Sequence, residues 1–175
     1  PILSFTAEEI WRNLPGERGP SVFLTTWYAG LFAVGDDEPF NAAYWDRLIA
    51  VREAVSKELE KLRVAGGIGS GLDAEVDLYC DGNLAADLNR IGDELRFFFI
   101  TSYARVQPLA ARPETAIEVQ IDGQSLAIQV TASAHAKCVR CWHHREDVGR
   151  NAEHPELCGR CVDNAFGAGE ERRFA

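Results

Sequence analysis

Hydrophobic residues in the first third of the chain recur at the spacing of an α-helix. From about residue 41 onward, apolar positions follow one another at intervals of three and four, which places them on one helical face. This stripe consists of Tyr44, Leu48, Val51, Val55, Leu59 and Leu62. A shorter helix is predicted upstream, because Thr6 to Glu9 has the pattern of a capping box and Pro15-Gly16 ends a helix.

A stripe of this length must be covered by other apolar surface. It could be covered by the segment that follows in the chain or by helices outside the given sequence. The sequence contains no methionine, not even at position 1. Since a natural chain begins with one, we expect a piece of a longer protein, with the covering helices elsewhere in it. The uncharged run from Gly19 to Gly35 is predicted to be buried irregular structure.

The pattern changes from helical to alternating after a glycine-rich linker. Residues 65–71 contain four glycines. From Ala74 to Cys80 apolar and polar residues alternate, which is typical of a strand with one buried face. A helix capped by Asn83 is predicted next, and residues 97–101 are predicted to form a buried strand. The apolar face of that helix consists of Leu84, Leu88, Ile91 and Leu95.

A β-hairpin is predicted near residue 122. Asp122-Gly123 is a preferred sequence for a two-residue turn. With these residues in the loop, Val119 pairs with Leu126 and Ile117 with Ile128, so that apolar side chains meet across the ladder.

These patterns predict an α+β fold in three parts. Residues 1–64 form a helical segment, and residues 72–133 form a small mixed α+β domain with a β-hairpin. Residues 136–175 are short of periodicity and rich in cysteine and histidine. They are predicted to form a C-terminal zinc ribbon or knuckle module.

Two cysteine pairs near the carboxyl end predict a metal site. Cys138-Val-Arg-Cys141 and Cys158-Gly-Arg-Cys161 are separated by 16 residues, a spacing typical of zinc. A two-residue gap lets one tight turn direct two thiolates at the same ion, and the second pair completes a tetrahedron. Four protein ligands leave no position for water, so one structural Zn²⁺ and no catalytic residue are expected. Gly159 is expected to allow a positive backbone dihedral angle in the second turn.

Other interpretations of the cysteines remain open. A redox pair would need a single motif on a βαβ background, and two disulfides would need an oxidising compartment. No secretory signal is visible at the start of the sequence, so a reducing cytoplasm is expected. His154 is an alternative ligand to one of the four cysteines. Cys80 lies on the apolar face of its predicted strand and is expected to be a small buried residue.

Composition limits the partners that the chain can bind. It carries 27 acidic and 18 basic residues, a net charge of −9, which argues against a general electrostatic binder of nucleic acid. Fifteen of the basic residues are arginines, whose planar guanidinium groups suit phosphates and aromatic rings. The longest uncharged stretch is 17 residues, short of the roughly 20 that a membrane span needs. No membrane partner is therefore expected.

Aromatic and basic residues surround the first cysteine pair. They are Lys137, Arg140, Trp142, His143, His144 and Arg145. Trp142 is either a core residue that packs over the metal site or an exposed platform for an unpaired base, with arginines holding phosphates. The density of cationic groups favours the second interpretation.

The same segments resemble a known family. The motifs Cys138-Val-Arg-Cys-Trp-His143, Leu157-Cys-Gly-Arg-Cys-Val162 and Gly169-Glu-Glu-Arg-Arg-Phe-Ala175 are similar to the C-terminus of bacterial isoleucyl-tRNA synthetases. Residues 1–11 resemble the last part of that family's helical anticodon-binding domain. Residues 68–74 resemble its Ile-Gly-x-Ser-Leu-Glu-Ala stretch. The resemblance therefore extends over both ends and the centre of the chain.

The resemblance implies a class I synthetase that activates isoleucine with ATP and charges its tRNA. Residues 1–64 would be the end of the anticodon-binding domain, 72–133 a junction domain and 136–175 the four-cysteine zinc domain. Arg140 and Trp142 would contact bases of the anticodon loop. Further contacts with the loop and stem are expected from Lys137, His143, Arg145, Arg160, Arg172 and Arg173.

The resemblance also implies partners that bind elsewhere. The family's two nucleotide-site signatures, His-Ile-Gly-His and Lys-Met-Ser-Lys-Ser, are absent from the sequence, as is the editing domain. ATP and isoleucine are therefore expected to bind the rest of the synthetase chain, and this piece is expected to be inactive alone.

Two alternatives belong to other classes. The zinc knuckle also resembles that of formamidopyrimidine-DNA glycosylases, whose N-terminal proline is a nucleophile, and this sequence begins with Pro1. That family has glutamate at the second position where this chain has Ile2, and a protein that holds duplex DNA should be basic. The other alternative is a zinc ribbon that binds proteins.

Overall fold

The computed structural model describes residues 2–174 and divides the chain into two compact units between Gly35 and Asp36. Each unit is described by itself. None of the helices found in the described residues is long and apolar enough to cross a membrane.

The first unit is built around helix α1, Ser4–Asn13. The loop that follows α1 is held against the helix by Glu8, whose carboxylate accepts hydrogen bonds from the Ser21 hydroxyl (2.8 Å) and the Val22 amide (3.1 Å) of the loop. The predicted capping box is wrong, because Thr6 to Glu9 lie inside the helix rather than at its start. The helix ends before Pro15-Gly16, as predicted.

The segment after this loop is apolar and exposed. The side chains of Trp27 and Phe32 are 85% and 88% exposed, and those of Tyr28, Leu31 and Val34 are also exposed. The prediction of buried irregular structure for the run from Gly19 to Gly35 is therefore wrong for this stretch. An uncharged sequence indicated burial, but these side chains stay exposed, as do the apolar side chains of Ile2 and Phe5 in the same unit.

The second unit is an α+β structure with a four-stranded sheet in the order β2-β1-β4-β3. Strand β1 pairs in parallel with β2 and antiparallel with β4, which pairs antiparallel with β3. Its elements are α2 (Ala42–Val64), β1 (Ala74–Tyr79), α3 (Gly82–Asn89), α4 (Leu95–Phe99), β2 (Tyr103–Gln107), β3 (Ile117–Ile121), β4 (Gln124–Ala132) and α5 (Gly159–Phe166). The predicted α+β class is thus confirmed.

Helix α2 is capped by Asn41, whose side chain accepts a hydrogen bond from the Tyr44 amide at 2.9 Å. The helix packs on β3, β4 and α4. The buried part of its apolar stripe, Tyr44, Leu48, Val51 and Val55, joins one hydrophobic core with residues of the sheet, α3 and α4. The segment that follows in the chain therefore covers the stripe. The expectation that the covering helices lie outside this sequence is wrong.

The connection between the parallel strands differs from the prediction. Residues 95–99 form the short helix α4, and the strand begins only at Tyr103. An apolar run of this length fits a strand or a buried helical turn equally well. The helical turn directs Leu95 and Phe99 into the core and ends at Ile100, which has φ of 58°. The single helix predicted here is likewise two helices, α3 and α4, with a 3₁₀ turn at Gly92–Glu94 between them. The predicted cap at Asn83 is wrong, because the N-cap residue of α3 is Asp81.

The predicted hairpin is confirmed in its register. Ile117 pairs with Ile128 and Val119 with Leu126. Asp122 and Gly123 form the loop with φ of 49° and 75°, as a primed two-residue turn requires.

We expect the Leu48→Ala variant to lower the free energy of unfolding of the second unit by about 2–5 kcal/mol, because it leaves a cavity in a closely packed core. Leu48 is 0% exposed. Urea unfolding followed by circular dichroism measures the loss. The matched control is Ile49→Ala on the exposed side of the same helix, expected to stay within about 0.5 kcal/mol. Equal losses in the two variants would contradict this account of α2.

Candidate metal centre and the surface around it

The four cysteines of the two predicted pairs lie together. The Sγ atoms of Cys138, Cys141, Cys158 and Cys161 are all within 4.8 Å of one another, and none is in a disulfide. Sulfurs at about 2.3 Å from a tetrahedral zinc would be about 3.8 Å apart. The Sγ atoms of Cys141 and Cys158 are 3.7 Å apart, so this donor set fits a zinc ion.

The first pair is carried by a tight hairpin, residues 137–145, here called the cysteine hairpin. Lys137 and His144 form an isolated antiparallel bridge at its base. The Cys138 amide donates to the His143 carbonyl and the Trp142 amide to the Cys138 carbonyl, both at 2.9 Å. The turn is closed by Trp142 with φ of 66°, a value uncommon for a bulky residue.

The second pair stands at the start of helix α5. Cys158 is its N-cap residue, and its carbonyl accepts hydrogen bonds from the Cys161 and Val162 amides. Gly159 does not have a positive φ, so the predicted reason for a glycine here is wrong. The structure gives another: a Cβ at Gly159 would stand 2.8 Å from a carboxylate oxygen of Asp147, which accepts a hydrogen bond from the Gly159 amide at 2.9 Å.

The electrostatics of the four sulfurs favour a bound cation. Burial alone would raise the pKa of Cys138, but hydrogen bonds from the backbone amides of Cys141, Cys158 and Arg140 lower it to about 6. Burial raises the pKa of Cys141 and of Cys158, and neighbouring sulfurs raise both further. Four thiolates this close repel one another, so all four ionise together only when a cation holds them.

Trp142 and Arg140 are on the surface beside this cluster. The Trp142 side chain is 61% exposed, so the interpretation as a core residue is wrong. The exposed Arg140 places Nη1 at 3.5 Å from the Sγ of Cys161. One planar aromatic group and one guanidinium are thus presented next to the metal centre.

Other residues of the predicted tRNA surface are engaged within the protein. His143 is only 7% exposed and packs edge-on against Phe97, with ring centroids 5.7 Å apart, which disagrees with its prediction as a surface contact. Lys137 Nζ lies 3.0 Å from a carboxylate oxygen of Asp73. Arg145 donates to the Ser102 carbonyl and its guanidinium lies 4.2 Å from the ring centroid of Tyr103.

Two of the predicted contacts, one between the second pair of cysteines and one near the C-terminus, are held by the same carboxylate. Glu170 accepts hydrogen bonds from Arg160 at 2.7 Å and from Arg172 at 3.0 Å, and both guanidinium groups lie over the ring of Phe97. The hydrogen bond from Arg160 is the main cause that lowers the pKa of Glu170 to about 2. Arg173 is exposed, with Nε 3.8 Å from Glu171.

The residues that hold the cysteine hairpin to the sheet were not predicted from the sequence. Asp73, Ser102 and Glu170 lie far from one another in the chain, Phe97 is close in sequence only to Ser102, and none of the four belongs to a spacing pattern that could have indicated its role. Asp73 and Ser102 stand directly before β1 and β2, which is the one positional signal they share. Pro1, on which the glycosylase alternative depends, lies outside the described residues.

Comparison with known proteins first defines the class of the metal module. Residues 137–164 match the family described as the zinc finger found in FPG and IleRS. Together with the geometry of the four sulfurs, this supports one structural Zn²⁺ per chain, as predicted.

The second comparison concerns the whole chain. It is 61% identical over 176 aligned residues to the isoleucine–tRNA ligase of Thioalkalivibrio sulfidiphilus. It is 58% identical to that of Nitrosococcus oceani and 56% identical to that of Methylococcus capsulatus. These matches cover 99–100% of this chain but only 18–19% of each relative. The chain therefore spans about a fifth of the length of these relatives, and the resemblance stated from its motifs is confirmed along its whole length.

We expect Cys158→Ser to abolish stoichiometric zinc binding, because three thiolates do not complete the tetrahedral site. Elemental analysis of freshly purified, reduced protein measures bound zinc. Cys80→Ala is the matched control, since Cys80 is buried in the sheet core outside the four-sulfur cluster. It should retain one zinc per chain.

A chelator should unfold residues 136–174 of the wild-type chain and leave the sheet folded, as amide hydrogen exchange would show. Unchanged exchange protection over residues 137–164 after metal removal would contradict a structural role for the ion.

Proposed function

We propose that this chain is the part of an isoleucine–tRNA ligase that recognises the anticodon region of its tRNA. The ligase is a class I synthetase that charges tRNA with isoleucine using ATP. The observation that supports this most strongly is the exposed Trp142 beside Arg140 on the cysteine hairpin, in a chain whose relatives are named isoleucine–tRNA ligases. The four cysteines hold the structural zinc.

The chemistry of the two exposed groups suits an unpaired RNA loop. An indole offers a flat face on which a base stacks, and a guanidinium binds phosphate or a base edge through parallel hydrogen bonds. Bases in a duplex are stacked already, whereas those of a loop can be splayed onto a protein surface. The preferred ligand is therefore the anticodon loop, with the adjoining stem as a secondary contact.

The charge distribution makes this recognition local. The chain has a net charge of −9, so its overall field repels RNA. Intramolecular carboxylates already pair with Lys137, Arg160 and Arg172. Of the predicted tRNA contacts, we therefore give the leading role to Trp142 and Arg140. Lys137, Arg145, Arg160, Arg172 and Arg173 act as secondary contacts or as supports.

The three predicted domains take their roles from this proposal. Residues 1–64 are the end of the helical anticodon-binding domain, 72–133 the junction domain and 136–175 the zinc domain. The exposed apolar residues between Trp27 and Val34 form a surface for the rest of the ligase chain, since isolated domains rarely expose so much contiguous apolar area.

Catalysis belongs to the remainder of the ligase in this proposal. The nucleotide-site signatures of the class are absent from these 175 residues. ATP and isoleucine bind outside this chain, which has no ligase activity alone. The enzyme works in the cytoplasm.

We expect Trp142→Ala in the full-length ligase to weaken tRNA binding by about 1–3 kcal/mol, the range for loss of one base–aromatic stack. Isoleucine-dependent ATP–pyrophosphate exchange should be unchanged, because it does not involve the anticodon. Filter binding and exchange kinetics measure the two effects.

The matched control is Phe166→Ala, which removes another exposed aromatic side chain of the same module and should leave tRNA affinity unchanged. A fall in the exchange rate as large as the fall in tRNA affinity would contradict a role limited to tRNA recognition. Borohydride trapping of Pro1 on damaged DNA would instead favour the glycosylase alternative.

A further inference from the structure

The ends of three strands meet where the cysteine hairpin joins the sheet. Because β1 and β2 are parallel, their amino ends lie at the same edge, and the antiparallel β4 ends there as well. Asp73 precedes β1 and Ser102 precedes β2, and the Ser102 amide donates to the Ala74 carbonyl at 3.0 Å. The chain leaves β4 at this edge: the Ser133 amide donates to the Asp73 carbonyl at 2.8 Å.

Ser102 contacts the base of the hairpin through a fully buried hydroxyl. The residue is 0% exposed. Its Oγ accepts a hydrogen bond from the His144 amide at 2.6 Å and donates to the Leu72 carbonyl. The Ser102 carbonyl accepts from Arg145 at 3.2 Å. A buried hydroxyl with both functions satisfied fixes its partners closely, since leaving either of them unpaired is unfavourable.

Asp73 contacts the same base through its carboxylate. Oδ1 lies 3.0 Å from Lys137 Nζ and 3.3 Å from Nε2 of His144. Oδ2 accepts hydrogen bonds from the backbone amides of Ser70 and Gly69 at 2.9 and 3.1 Å. One side chain therefore ties the linker before β1 to both residues that form the base of the cysteine hairpin.

From these contacts we infer that Asp73 and Ser102 are positioning residues, which fix the orientation of the cysteine hairpin on the sheet and so aim Trp142 and Arg140 at the RNA. The inference rests on the proposed function. It also gives Lys137 a different role from the predicted one: its ammonium group holds the cysteine hairpin to Asp73 instead of contacting the tRNA loop or stem.

The direction in which Asp73→Ala changes the affinity for RNA distinguishes positioning from simple electrostatics. Asp73→Ala removes a negative charge and releases the ammonium group of Lys137, so electrostatics alone predicts tighter RNA binding. Positioning predicts weaker binding, because the hairpin is no longer held in one orientation. We expect affinity for the anticodon stem–loop of isoleucine tRNA to fall about fivefold, within the range for residues that act without touching the ligand.

Two further variants complete this comparison: a control for charge and a second variant that tests positioning. Glu118→Ala changes the net charge equally but removes an exposed carboxylate paired with Arg112, away from the hairpin. It should leave the affinity unchanged or slightly tighter. Ser102→Ala removes the buried hydroxyl with no change of charge and should weaken binding as Asp73→Ala does. It decides the question if the Asp73 variant fails to fold.

A double-mutant cycle shows whether the effect passes through Trp142. In a Trp142→Ala background, Asp73→Ala should cause a clearly smaller loss of affinity than it does in the wild type, because Arg140 is then the one remaining group whose orientation is lost. Additive losses, or tighter binding by Asp73→Ala alone, would overturn the inference.

A measurement without RNA keeps the inference distinct from the proposed function. Residual dipolar couplings of the zinc-loaded 175-residue chain report the orientation of the hairpin relative to β1 and β4. In the wild type one alignment tensor should fit both parts. In Asp73→Ala and Ser102→Ala the hairpin should keep its internal geometry and its zinc but need a separate tensor. A single shared tensor in both variants would refute positioning, whereas unchanged RNA affinity in Trp142→Ala would refute only the proposed function.

Discussion

The structure of residues 137–164 depends on four cysteine sulfurs, three of them on buried residues and one on a half-buried residue, that can share one cation. The apolar contribution to this module is small: apart from the cysteines, only Val148 and Leu157 pack partly buried against the cluster. Two such side chains contribute a few kcal/mol at most, at about 1.5–3 kcal/mol for each fully buried aliphatic residue. Zinc binding to a module of this size contributes about 10 kcal/mol or more. The metal therefore replaces the hydrophobic core that so short a segment cannot form.

The rest of the second unit provides a rigid support for this module. Helix α2 and the four-stranded sheet share one hydrophobic core. The cysteine hairpin is attached at the edge of the sheet where β1 and β2 begin and β4 ends. On the other side of the module, Phe97 in α4 lies under the guanidinium groups of Arg160 and Arg172. Two arginines that were predicted as tRNA contacts are thus engaged within the protein. Trp142 and Arg140 remain exposed beside the zinc site.

Local sequence rules predicted some elements in detail. The register of the hairpin formed by β3 and β4 followed from Asp122-Gly123, because a two-residue turn and a buried face leave only one pairing of the strands. The metal centre followed from the cysteine spacing, since two Cys-x-x-Cys pairs at this separation are typical of a tetrahedral zinc site. In both cases the signal consists of short sequence motifs.

Other features could not be predicted, because they depend on contacts between distant segments. The apolar run at 97–101 fitted a strand or a helical turn, and only packing of Leu95 and Phe99 into the core decides for the helix. The need for glycine at 159 comes from Asp147 approaching its amide, not from the local backbone angle. Likewise, the local sequence does not indicate that Glu170 forms ion pairs with two arginines, or that Asp73 and Ser102 hold the cysteine hairpin.

If the zinc site presents Trp142 to an unpaired RNA base, as proposed, ¹⁹F NMR of a labelled indole should detect the contact. The chain is labelled with 5-fluorotryptophan and the resonance of residue 142 is assigned with a Trp142→Phe variant. Addition of the anticodon stem–loop of isoleucine tRNA should shift that resonance in the zinc-loaded protein and leave it unshifted after chelation. A resonance that ignores the RNA, or that shifts equally without zinc, would contradict the account.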